Sequence, residues 1–98
     1  MRNFSSYEIV KLLIEKGADI EARNKRGNTP LIQAACFIDE SYSYELMKIL
    51  IEMGANIEAE NNAKNSALYM ALSLGHKKTV ELLRSKGAKE TEKIRSLI

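Results

Sequence analysis

The sequence holds one cysteine, Cys36, one histidine, His76, and one proline, Pro30. A lone cysteine excludes an intrachain disulfide, and one cysteine with one histidine cannot fill the ligand set of a structural zinc site. No apolar run approaches the ~18 residues that a membrane span takes. The opening stretch, MRNFSSYEIVKLLIEKG, has its apolar positions interrupted by Glu8 and Lys11 and does not read as a signal peptide. A reducing, cytoplasmic setting without a membrane partner is the expectation. The net charge of +2 is too small to demand a polyanion. No glycine-rich phosphate loop is present, since Gly17 and Gly27 stand alone. Lys25, Arg26, Lys77 and Lys78 have no interleaved aromatic to stack on bases, so nucleic acid is not an expected partner. What remains is 98 residues, 45% hydrophobic and 29% charged, a balance that folds as one domain with a small core rather than staying disordered.

The chain repeats itself. SYEIVKLLIEKGADIEARN (6–24) aligns without a gap to SYELMKILIEMGANIEAEN (43–61), an offset of 37 that also carries NTPLIQAA (28–35) onto NSALYMAL (65–72). KTVELLRSKGAK (78–89) follows at a shorter offset of 33 from position 45. The unit is therefore 33 residues, and the middle copy carries four more within CFIDESYSY (36–44).

Each unit reads as two helices. The first opens at Thr29-Pro30: threonine accepts from a free N–H of the first turn, and proline suits a first position whose N–H would have no partner. The second is expected over about Tyr44 to Met53, with Leu46, Ile49 and Leu50 at the i, i+3, i+4 spacing of a buried face, as are Ile9, Leu12 and Leu13 in the preceding copy. Ser5 and Glu8 form a candidate capping box there. Gly17, Gly54 and Gly87 end the second helices, and Ala34, Ala35 and Ala71 let first helices approach closely. KETEKIRSLI (89–98) reads as a closing helix, acidic at the front and basic at the back, with Ile94, Leu97 and Ile98 on one side.

These residues resemble the ankyrin-repeat family, whose unit has a glycine turn, Thr-Pro-Leu-His-x-Ala-Ala, Gly-His, an apolar helix and Gly-Ala-Asp. Gly27, Thr29, Pro30, Leu31, Ala34 and Ala35 match, as do Leu68, Ala71, Gly75, His76 and the Gly-Ala pairs at 17, 54 and 87. The resemblance covers 6–89 and implies an all-α solenoid of about two and a half repeats. The expected divisions are a half repeat over 1–23, a repeat with the insertion over 24–60, a repeat over 61–89 and a capping helix over 90–98. Three departures stand out: Ile32 and Tyr69 replace the family histidine, which removes its side-chain hydrogen bonds; Lys64 replaces the turn glycine, which predicts a distorted turn; and the middle unit lacks Gly-His.

No constellation for catalysis appears. His76 is flanked by lysines rather than an acid, and the resemblance gives it a turn role. Cys36 reads as a small residue at a helix end. Glu15, Glu21, Glu52, Glu58 and Glu60 accompany the repeat and read as solvated faces. Neither a cofactor nor a metal is expected. Tyr7 and Tyr44 are equivalent and read as core, whereas Phe37, Ile38 and Tyr42 have no counterparts and fall on the inserted loop, to pack locally or meet a partner. The resemblance implies a non-enzymatic module that binds another protein through turn tips and the exposed face of the short helices. Carried over by position, the contact residues are Lys25, Arg26, Asn28, Cys36 and Phe37, with Tyr42 beside them, then Asn62, Ala63, Asn65, Ser73 and Leu74. The first set is basic and aromatic and the second neutral, which suits a partner with an acidic patch beside an apolar spot. The alternative is self-assembly into a homo-oligomer through the N-terminal half repeat.

Overall fold

The computed structural model describes Leu12 and residues 15–97. The capping box of Ser5 and Glu8, Tyr7, Ile9, Leu13 and Ile98 lie outside the described residues. Five helices with both ends among the described residues follow one another: α1 (Pro30–Ala35), α2 (Glu40–Glu52), α3 (Ala67–Leu74), α4 (Lys77–Ser85) and α5 (Glu92–Arg95). No strand occurs among the described residues, only an isolated bridge between Glu60 and Ser66.

Helices of six or eight residues are too short to hold in water by themselves. Caps and stacking hold these. Thr29 Oγ1 accepts from Ile32 N at 3.3 Å and Ser66 Oγ from Tyr69 N at 3.2 Å, so α1 and α3 begin alike, with Pro30 in the first turn of α1 as its sequence predicts. α1 pairs with α2 and α3 with α4, and the hairpins stack α1 on α3 and α2 on α4. Ala34, Ala35 and Ala71 are buried where short helices meet, and Leu31, Ile32, Met47, Leu50, Leu68 and Leu83 fill the layer between short and long helices. Ile32, in the place of the family histidine, is fully buried, so apolar packing replaces the missing hydrogen bonds.

Three expectations need correction. The second helix of the middle unit starts at Glu40 rather than near Tyr44, because four inserted residues amount to about one helical turn and Asp39 caps it, accepting from Tyr42 N at 3.2 Å. Tyr42 therefore sits on α2 and not on a loop. The closing helix is short and buries Ile94 alone, while Leu97 is 41% exposed. The turn at Lys64 is not distorted. Lys64 adopts φ 65°, near the 78° of Gly27, and bonds back to Asn61 O at 2.9 Å, just as Gly27 bonds back to Asn24 O at 2.9 Å.

Candidate binding surface

The two turns that precede the short helices are built around asparagine. Asn24 Oδ1 accepts from Arg26 N and Asn28 N, both at 3.0 Å; Asn61 Oδ1 accepts from Ala63 N at 2.9 Å and Asn65 N at 3.0 Å. Each turn thereby folds its backbone N–H groups inward and leaves its tip side chains in solvent. The tips are also tied together. Asn62 N donates to Arg26 O and Asn62 Nδ2 to Lys25 O, each at 3.0 Å, and Asn61 Nδ2 donates to Asn28 Oδ1 at 2.8 Å. Arg23 Nη1 joins Gly27 O at 2.9 Å to Glu60 O at 2.6 Å across the same seam. Further along, Lys93 of α5 donates to Ala63 O at 2.7 Å while its ammonium lies 4.9 Å from the centre of the Tyr69 ring.

Of the residues expected at the surface, Lys25, Arg26, Asn62 and Ala63 are exposed on the tips. Asn28 is not a surface residue: it is buried, its carbonyl oxygen taken by Asn61 and its amide bonded to Gln33 at 3.2 Å. Asn65 is half-buried, and its Oδ1 is buried without a partner. It is the counterpart of Asn28 in the last repeat, where buried Ile94 stands at the position that Asn61 holds one unit earlier.

A second group lies where the short helices end. Cys36 is the C-cap of α1, half-buried, with Sγ 3.2 Å from Ile32 O. Burial pushes its thiol pKa up, and the Arg26 guanidinium pulls it down by less. Phe37 stacks edge-on against Tyr42 with ring centres 5.1 Å apart, yet remains 38% exposed. Leu74 is its counterpart 37 residues on and is 44% exposed; Ser73 beside it is exposed. The buried ring of His76 reaches across to Phe37 O at 2.5 Å and so ties the two loops together. Ile38 is 91% exposed in the same loop. An apolar side chain left this bare is visible only in the fold, since sequence alone did not separate loop packing from exposure.

Glu21 and Glu58 are not merely solvated. Glu21 accepts from Asn56 N at 2.7 Å and Glu58 from Lys89 N at 3.1 Å, so each carboxylate holds the matching backbone position of the following unit. Their recurrence was the available signal, and it marks a contact between units. Glu15 and Glu52 are exposed. Among the described residues no group of three or more His, Cys, Asp or Glu is placed to hold a metal ion.

No curated protein matches the chain. The family model for ankyrin repeats, in three copies, matches residues 1–94. Ankyrin repeats are generally protein–protein interaction modules and typically not enzymes. With matched residues that span nearly all of the sequence and two stacked helix pairs joined by repeated turns, the chain belongs to the ankyrin-repeat family.

Proposed function

We propose that the protein is a binding module whose partner protein meets the turn tips and the ends of the short helices. The observation that carries this reading is the group of apolar side chains where the short helices end: Phe37 and Ile38 in the loop after α1 and Leu74 in the last turn of α3 stay in water, and His76 bonds across to Phe37 O. A small domain gains nothing in its own stability from an isoleucine that is 91% exposed, whereas grouped exposed apolar side chains mark an interaction surface and arginine is a residue that carries interface energy. Arg26 is the exposed arginine of the first tip. Tyr42 backs Phe37 with its ring edge-on. The tips are preorganised by their asparagine bonds, so little ordering cost accompanies docking.

The test is affinity capture with the wild-type chain and with Ile38→Ser, read by mass spectrometry. A protein recovered by the first and lost by the second supports the reading. Recovery of the same protein by both contradicts it, and recovery of the chain itself, with a doubled mass in light scattering, favours self-assembly.

A further inference from the structure

The tips and α5 together make a charged edge. Lys25 and Arg26 occupy the first tip and Lys64 the second, and all three are exposed. The bonds from Asn62 to the carbonyl oxygens of Lys25 and Arg26 place the second tip against the first, and the bond from Lys93 to Ala63 O places α5 against the second. Sequence alone made the last unit's surface neutral; the packing of Lys93 onto Ala63, with Lys64 next to it, makes it basic. Among the described residues the one ion pair joins Arg84 and Glu90, so none of these four cations has an acidic partner within salt-bridge distance. On α5, Glu92 and Arg95 offset each other. A chain of net charge +2 therefore carries +4 along this edge and −2 over the rest of its length.

From this charge arrangement, and resting on the binding-module reading above, we infer that the edge receives an extended, acidic segment of the partner protein. Its spacing follows from the stack. Neighbouring packed helices lie about 8–10 Å apart, and an extended chain advances about 3.3 Å per residue. One repeat thus corresponds to roughly three residues of such a segment, the separation between the Lys25–Arg26 tip and the tip where Lys64 and the Lys93 ammonium stand together. Acidic side chains about three positions apart would meet the two tips in turn. The tip carbonyl groups are already engaged by Asn62 and Lys93, so the edge offers side-chain charge and little backbone hydrogen bonding. A nucleic acid suits it less well. Among the described residues no ring is free between the cations for a base to stack on: Tyr69 lies under Lys93, and Phe37 is edge-on to Tyr42. A polyanion longer than the edge would also run into the negative remainder.

The experiment is fluorescence anisotropy of the full chain with three labelled probes: a synthetic peptide with glutamate at every third position, the same peptide with lysine there, and a single-stranded RNA of equal length. The acidic peptide is expected to bind, the lysine peptide not, and the affinity to fall several-fold as salt rises from about 50 to about 300 mM. Lys25→Glu with Lys64→Glu should weaken acidic-peptide binding roughly tenfold or more, since it replaces attraction with repulsion at both tips. Lys48→Glu with Lys86→Glu, two exposed cations away from the edge, should leave it within about twofold. Circular dichroism checks that both variants are folded. Equal binding of the two peptides, binding of neither, equal losses in the two double variants, or tighter binding of the RNA each overturn the inference. Applied to the captured partner, the same tip variant separates the two ideas. If it retains a partner that Ile38→Ser loses, the acidic segment is wrong and the binding module stands; if both variants retain it, the module reading fails as well.

Discussion

Asn62 occupies the space that a Cβ on Gly27 would need. Its backbone nitrogen would lie 2.8 Å from that carbon, with its side-chain oxygen closer still. Gly27 is thus required twice, once for a backbone at φ 78° and once for the approach of the next tip. Its counterpart Lys64 meets the first requirement at φ 65° as a non-glycine. Gly27→Ala should therefore cost ~1 kcal/mol for the left-handed backbone and a further ~1–3 kcal/mol for the clash. Lys64→Gly should stabilise by up to ~1 kcal/mol. Denaturant titration of both variants checks the pair. A loss of stability in Lys64→Gly would show that the lysine side chain contributes more than its backbone conformation costs.

The bonds from Glu21 to Asn56 N and from Glu58 to Lys89 N join successive units at matching places. Both are solvent-accessible, so water can replace part of each bond. Glu21→Ala and Glu58→Ala should each cost about 0.5–1 kcal/mol, and the double variant about their sum, because the two bonds lie at different junctions. Exposed Glu52→Ala should change stability by less than ~0.5 kcal/mol. Urea midpoints measure all four.

Much of this architecture can be read from the residues. Thr29-Pro30 and Gly27 announce their roles because capping and positive φ act within one turn of chain. The period itself shows that positions 37 apart share a role, but not which neighbour they touch. That is why Glu21 and Glu58 read as solvated and Asn28 as exposed: the partners lie in the next unit, at Asn56, Lys89 and Asn61. The inserted residues within 36–44 read as a loop for a related reason. Asp39-Glu40 is a good helix start, yet the alignment put the extra residues in a loop, whereas a surplus of about one turn extends a helix without altering the face it buries. The basic edge needed Lys93 to be brought beside Ala63 by tertiary packing.

Ile94 is 1% exposed and is the buried residue through which α5 contacts α3. Ile94→Ala should destabilise the fold by ~2–4 kcal/mol, and removal of 89–98 by at least as much, because stacked units depend on their neighbours. Leu97→Ala, at a 41% exposed site, should fall within ~0.5 kcal/mol of wild type. Thermal melts suffice; equal melting temperatures for the truncated and whole chains would remove the capping role from α5.

Burial raises the Cys36 thiol above its ordinary pKa, against a smaller pull downward from Arg26. The thiolate is thus less favoured in the folded than in the unfolded chain. The stability associated with this difference is complete below the ordinary thiol pKa of ~8.5 and is lost as pH rises through the folded value. Wild type should lose stability relative to Cys36→Ser only at alkaline pH, as followed by melting curves. Alkylation of Cys36 near pH 8 should be slower than that of a free thiol and slower again in Arg26→Ala. Faster alkylation in that variant would place the guanidinium away from the sulfur.

The most direct measurement of the binding surface is calorimetry with the captured partner. Ile38→Ser is the cleanest probe, since a side chain that is 91% exposed contributes little to folding. Phe37→Ala also gives up the stack on Tyr42, and Arg26→Ala tests the tip. Each should weaken binding by at least ~1 kcal/mol with an unchanged circular dichroism spectrum, while the exposed long-helix control Glu52→Ala leaves affinity as it was. Full affinity in Ile38→Ser, Phe37→Ala and Arg26→Ala, with a loss in Glu52→Ala, would place the partner on the long helices and contradict the surface described above.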